Sequence, residues 1–177
     1  ASLIAVDLIS QAEHDEQASA VLVTWSEDLA RTVRGEVERR IDATRNGARA
    51  RTALEGPQSA IVLVDDRAAA TAFSNAYAPE HLELHLDDPR PEDFVNAGAV
   101  FVGAFSPVSL GDYLAGSNHV LPTGGQARYA SGLSASTFLR PQQVISYDRA
   151  ALEAVVDDIV ALADAEALPA HGEAATA

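Results

Sequence analysis

Along this chain the hydrophobic period changes repeatedly, and each change marks an element. In "SLIAVDLISQAE" at 2–13, apolar residues at 3, 4, 6, 8 and 9 follow helical spacing behind Ser2 as N-cap. The run "AVLVTW" at 20–25 is continuously apolar, as in a short buried strand. "SEDLARTVRGEVERRIDATRNG" then returns to helical spacing. Ser26 and Glu27 open it, Leu29, Val33, Val37 and Ile41 form one stripe, and Gly47 reads as its stop. "AIVLVDD" at 60–66 is a second buried strand, with Asp66 placed to cap a helix running on to Tyr77. "LELHL" alternates leucine with polar residues, a short helix is expected at 91–97, and "GAVFVGAF" reads as a strand. Strands alternating with helices predict an α/β fold with a largely parallel sheet flanked by helices, built from strand runs near 20, 61, 99 and 143. In such folds ligands collect at the carboxyl ends of the strands.

From 103 to 141 the texture changes to a long stretch rich in Gly, Ser and Pro, "GAFSPVSLGDYLAGSNHVLPTGGQARYASGLSASTFLRP". A loop of that length in a compact domain is functional or disordered, and its aromatics (Phe105, Tyr113, Tyr129, Phe138) argue against disorder. "DRAALEAVVDDIVALADAEAL" at 148–168 reads as an acidic amphipathic helix, followed by the tail "PAHGEAATA". The organisation expected is an α/β domain over 1–147 and a helical C-terminal extension over 148–177.

Composition narrows the chemistry. With 177 residues, 47% of them apolar, the chain can bury a core, and no run approaches the roughly 20 apolar residues that span a bilayer. No signal-peptide pattern opens it, so a soluble, cytoplasmic protein without membrane contact is expected. Cysteine is absent, which removes disulfides and thiolate chemistry; a metal would need His, carboxylate or amide ligands. All twelve basic residues are Arg, and the net charge of -14 argues against nucleic acid as a partner. The absence of Lys excludes Schiff-base chemistry and a P-loop lysine, and no GxGxxG motif is present.

Four of the five histidines sit in suggestive settings. Gln11 and His14 are three apart and share one helix face near its C-terminus, where spacing alone favours a histidine complementing the helix dipole beside a solvated glutamine. Asp112 and His119 bracket "GDYLAGSNH", where a carboxylate among glycines fits a ligand, an acid–base group or an ordinary turn. His171 follows a helix-stopping proline in a small-residue tail and by composition reads as solvent-exposed. Glu80 and His81 are neighbours, and neighbours on a regular strand face opposite ways. Pro79 offers an irregularity, because it fixes its own φ and pushes Ala78 out of the helical region. The plainer alternative is a polar strand edge with His81, Glu83 and His85 outward.

Taken together, "DLISQAEHD", "YAPEHLEL", "GAVFVG", "GDYLAGSNHVLPTGGQAR", "SGLSASTF" and "EALPAH" resemble the histidinol dehydrogenase family in order along the whole chain. Ser117 departs from the family's usual proline and leaves His119 in register. The resemblance implies the C-terminal part of a chain more than twice as long, and hence an incomplete Rossmann-like domain with the upstream N-terminal part as a missing partner. It also implies a zinc- and NAD+-dependent oxidation of L-histidinol to L-histidine through L-histidinal. By that resemblance the zinc ligands are Gln11, His14, Asp112 and His171, the catalytic pair is Glu80 and His81, and His119 and Glu166 join His81 and the metal ligands in contacting substrate. No residue is assigned to NAD+. The resemblance further implies a homodimer in which the terminal extension, with Glu166 and His171, completes the other subunit's site, and a tail that stays mobile without metal or partner. A non-catalytic zinc- or imidazole-binding fragment lacking the NAD lobe is the alternative; a zinc hydrolase comes last, since no HExxH is present.

Overall fold

A computed structural model describes residues 1–177 and divides them into two compact units, 1–137 and 138–177.

The first unit opens with α1 (Ser2–Ala12), β1 (Val21–Thr24), α2 (Glu27–Ile41), α3 (Gly47–Glu55), β2 (Ala60–Leu63) and α4 (Arg67–Tyr77). The two caps read from the sequence are made as expected: the Ser26 and Asp66 side chains accept from the amides of Leu29 and Ala69. The single helix expected from 26 to 47 is broken at Ile41, and Gly47 begins α3 instead of ending a helix. The reason is tertiary: a Cβ at Gly47 would lie 2.3 Å from the Ile41 carbonyl oxygen, so only glycine lets the chain turn this tightly. Helices α1 to α3 then pack on a small-residue core of Ile9, Ala12, Ile41, Ala50 and Ala53.

Next come β3 (His81–Leu84), a single 3-10 turn at Pro91–Asp93 where a short helix was expected, β4 (Ala99–Val102) and α5 (Val108–Tyr113). The pairing is parallel throughout, with Val21 opposite Ala60 and His81 opposite Ala99. The α/β class and the parallel strands agree with the sequence reading, but the strands form two separate pairs, β1 with β2 and β3 with β4. The strand expected near 143 is absent: residues 139–148 form no helix or strand, and Val144 and Ile145 are exposed. A β-prone run becomes a strand only against a hydrogen-bonding neighbour, and this one has none.

The second unit is helical, with α6 (Arg149–Glu153), α7 (Val156–Ala165) and α8 (Pro169–Thr176). The tail expected to lack order is therefore a helix. Its alanines suffice because α8 packs directly on α7, with Ala163 and Gly172 buried at the contact. The reversal between them uses Ala167 in the left-handed region (φ 57), with the Leu168 amide donating to the Ala163 carbonyl at 2.8 Å. No helix of the chain is long and apolar enough to cross a membrane.

Candidate active site

A cleft of about 800 Å³ in the first unit runs along β1 and β3 and is also bordered by α1, α4 and the glycine-rich segment. Gln11, Glu80 and His81 line it, as do Thr123, Gly124 and Arg128. Arg128 ties that segment down by donating to the carbonyls of Gly125 and Ala76, the latter at the end of α4.

The approach to Glu80 and His81 is locally strained. Ala78 ends α4 in the left-handed region (φ 55, ψ 65), with its amide donating to the Ser74 carbonyl at 2.8 Å. Pro79 thus does exclude the right-handed helix, as expected, but the chain takes the left-handed alternative, which costs an L-residue roughly 1–2 kcal/mol. The Pro79 and Glu80 carbonyls then accept from Gly98 and Ala99, locking the pair to the start of β4. A Cβ on Gly98 would lie 2.6 Å from the Glu80 carbonyl oxygen, so glycine is what permits this approach.

His81 is the first residue of β3, so the pair sits at the amino end of its strand. Gln11, on the last turn of α1, and His14, just beyond it, likewise precede their strand, β1. These candidates precede their strands, whereas Asp112, on α5, follows the carboxyl end of β4. His81 is 15% exposed, and its Nε2 lies 3.6 Å from Oδ1 of Asp112, beyond a hydrogen bond but within ion-pair range. The His81 ring also tilts against Phe101, centroids 5.9 Å apart. Gly111 makes room for Phe101, since a Cβ there would stand 2.5 Å from the ring.

Other residues named from the sequence are not drawn into this cleft. His14 and His119 are exposed and outside the lining, and Asp112 stands near His81 without lining the cleft itself. Glu166, the C-cap of α7, and His171, on α8, belong to the second unit and are exposed.

One cluster escaped the sequence reading. Asp7, Glu83 and His85 bring one ligand-type atom each to within 4.8 Å of one another. The signal was half present, since His81, Glu83 and His85 share one face at period two. Asp7 arrives from α1 only through tertiary packing. Glu83 is pushed up to about 8 by burial first, then by the Asp7 charge and a hydrogen bond to Asp7. Burial lowers the His85 pKa despite the opposing pull of Asp7. The His85 Nε2 lies 3.3 Å from Glu83 but off hydrogen-bond direction, leaving that atom shielded and without a partner.

The histidinol dehydrogenase family model matches residues 1–177. The chain belongs to the histidinol dehydrogenase family. It is 62% identical over 175 residues to the histidinol dehydrogenase of Leifsonia xyli subsp. xyli, covering 98% of this chain and 40% of that protein. With the Corynebacterium diphtheriae histidinol dehydrogenase it shares 59% identity over 173 residues, covering 97% and 38%. The crystal structure of histidinol dehydrogenase from Elizabethkingia anophelis superposes with a TM-score of 0.84 at 35% identity, covering 99% of this chain and 40% of that one. The chain therefore spans about 40% of the length of the relatives it matches.

Proposed function

We propose that these residues form the C-terminal, acid–base-bearing portion of a zinc- and NAD+-dependent histidinol dehydrogenase that completes histidine biosynthesis by oxidising L-histidinol to L-histidine. The observation that carries this reading is the adjacency of Glu80 and His81 on one cleft, with Asp112 Oδ1 3.6 Å from His81 Nε2. A carboxylate at that distance can orient the imidazole edge for proton transfer.

In the first oxidation His81 takes the hydroxyl proton of histidinol as hydride leaves the carbinol carbon, giving the aldehyde. Glu80 then removes a proton from water as its oxygen adds to the aldehyde carbon, and protonated His81 returns its proton to the aldehyde oxygen. The resulting diol loses a second hydride while His81 accepts the second hydroxyl proton, giving the carboxylic acid. Bound NAD+ supplies the hydride acceptor, one molecule for each oxidation.

Gln11, His14, Asp112 and His171 would hold zinc. The donor set fits, being one amide oxygen, one carboxylate and two imidazoles, all accepted by Zn2+. Bound zinc supplies a Lewis-acid centre that orients the substrate's amine and imidazole. His119 and Glu166 contact the same substrate in this reading. The enzyme is a cytoplasmic homodimer whose terminal extension, with Glu166 and His171, serves the opposite subunit.

Family-length enzyme carrying this segment tests it. Two variants, His14→Ala and His171→Ala, are each expected to be inactive and to regain NADH production from histidinol once refolded together, because one site per heterodimer then has every ligand. Absence of recovery in proven heterodimers removes the shared site, and activity in either variant alone removes that residue as a ligand.

A further inference from the structure

Gln11 takes its place from the last turn of α1, but His14 lies beyond that helix, on an exposed bend. A ligand on a short exposed loop meets its ion in one geometry only if something else fixes the backbone that carries it. Local hydrogen bonds do part of this. The His14 amide donates to the Gln11 carbonyl at 3.4 Å, and the Ala18 amide to the Asp15 carbonyl at 3.0 Å.

The rest comes from α3 and the turn that follows it, 33 to 42 residues away in sequence. Before His14, Asn46 Nδ2 donates to Oε2 of Glu13 and Arg49 Nη1 donates to the Glu13 carbonyl, both at 3.2 Å. After it, Gln58 Nε2 stands 3.2 Å from each of the Glu16, Ala18 and Ala53 carbonyls, its two N–H groups shared among them. Ala53 belongs to α3, so Gln58 ties the loop directly to that helix. Gly56 makes room for this, since a Cβ there would lie 2.4 Å from Gln58 Oε1. The helix is in turn seated on α1 through Ala12, Ala50 and Ala53, all wholly buried. His14 is therefore flanked on both sides by clamped backbone, while its side chain stays exposed.

We propose, on the reading of His14 as a zinc ligand given above, that Asn46, Arg49 and Gln58 are positioning residues that set it for the ion. None of the three touches metal or substrate; they act through Glu13, Glu16 and Ala18. An imidazole on prefixed backbone binds without first ordering its loop, and loss of such support costs a metal site about 10–100-fold in affinity. Contacts that only packed α3 on α1 would behave differently: their loss would lower the stability of the metal-free protein and leave zinc affinity unchanged.

Family-length enzyme carrying this segment, stripped of metal, is titrated with Zn2+ against a chromophoric chelator. His14→Ala is expected to lose zinc; undiminished affinity there would end the zinc reading, and the proposal with it. Where His14→Ala does lose zinc, Asn46→Asp judges the clamp alone. Asp caps a helix as well as Asn does, so this change spares the start of α3 while setting a carboxylate against Glu13 in place of a donor. Zinc affinity should fall by about tenfold or more. Adding Glu13→Gln returns an N–H to the pair and should restore it. The visible absorption band of Co2+ in the same site should shift in the single variant and return in the double. Gln58→Glu keeps the shape without the donors and should weaken zinc by a similar factor. Wild-type affinity in both Asn46→Asp and Gln58→Glu overturns the proposal, as does a loss in Asn46→Asp that Glu13→Gln leaves unrepaired. Should Asn46→Asp prevent folding, Arg49→Ala decides, because it removes a donor to the Glu13 carbonyl: unchanged affinity there overturns the proposal, and a tenfold loss supports it.

Discussion

The layer formed by α1, α2 and α3 and the segment from 103 to 147 both use small residues, to opposite ends. In the first, Ala12, Ala50 and Ala53 are wholly buried, and close helix contact around Ile9 and Ile41 makes a core without large side chains. In the second, glycine and serine separate large apolar residues that find no cover: Phe105, Leu114, Tyr129, Leu139 and Val144 all stand mostly exposed. The contrast teaches that the first region carries its packing partners in its own sequence, whereas the second leaves its large apolar residues exposed.

The comparison is sharpened most by paired truncations. Ile41→Ala, at a residue 2% exposed, is expected to cost about 2–5 kcal/mol in a denaturant titration, while Phe105→Ala, at one 95% exposed, should stay within about 0.5 kcal/mol. Equal losses would erase the distinction. A smaller effect is expected at the boundary of the helical layer, where Ser26→Ala removes the cap on Leu29 and should cost about 1 kcal/mol. No change would mean that α2 is held by its packing alone.

The most modest effect lies where α1 meets β3. Folded Glu83 titrates at about 8, above its ordinary 4.5, so the folded chain binds its proton more tightly than the unfolded chain does. Its contribution to stability is fully present below the ordinary value and is lost as pH rises through about 8. In chelator-treated protein, the melting temperature should fall relative to Glu83→Gln over that interval. Parallel curves for the two proteins would mean that the carboxyl is not held protonated by Asp7 and burial.

Local chemistry made much of this fold legible: the helix over 2–13, the Ser26 and Asp66 caps and the apolar strand runs all depend on residues near in sequence. The misreadings share one cause. Gly47 reads locally as a stop because its contact with Ile41 is tertiary, and the run near 143 reads as a strand because its pattern cannot say whether a neighbour exists. The order of the tail comes from its packing on α7, which the composition of the tail does not reveal. At the site, Pro79 exposed the irregularity before Glu80 and His81, and the spacing of Gln11 and His14 was visible as one helix face. The junction of Asp7 with Glu83 and His85 joins two distant elements, and no local pattern carries it.

The central claim is that adjacent residues divide two proton tasks, and separate half-reactions test it most directly. Family-length enzyme carrying this segment would be given L-histidinol or L-histidinal with NAD+, and NADH formation followed for His81→Asn and Glu80→Gln. The account predicts a loss of about 10²–10⁴-fold from histidinol in His81→Asn. It predicts that Glu80→Gln slows oxidation of the aldehyde while sparing the alcohol step. Wild-type rates in both half-reactions for both variants would contradict it.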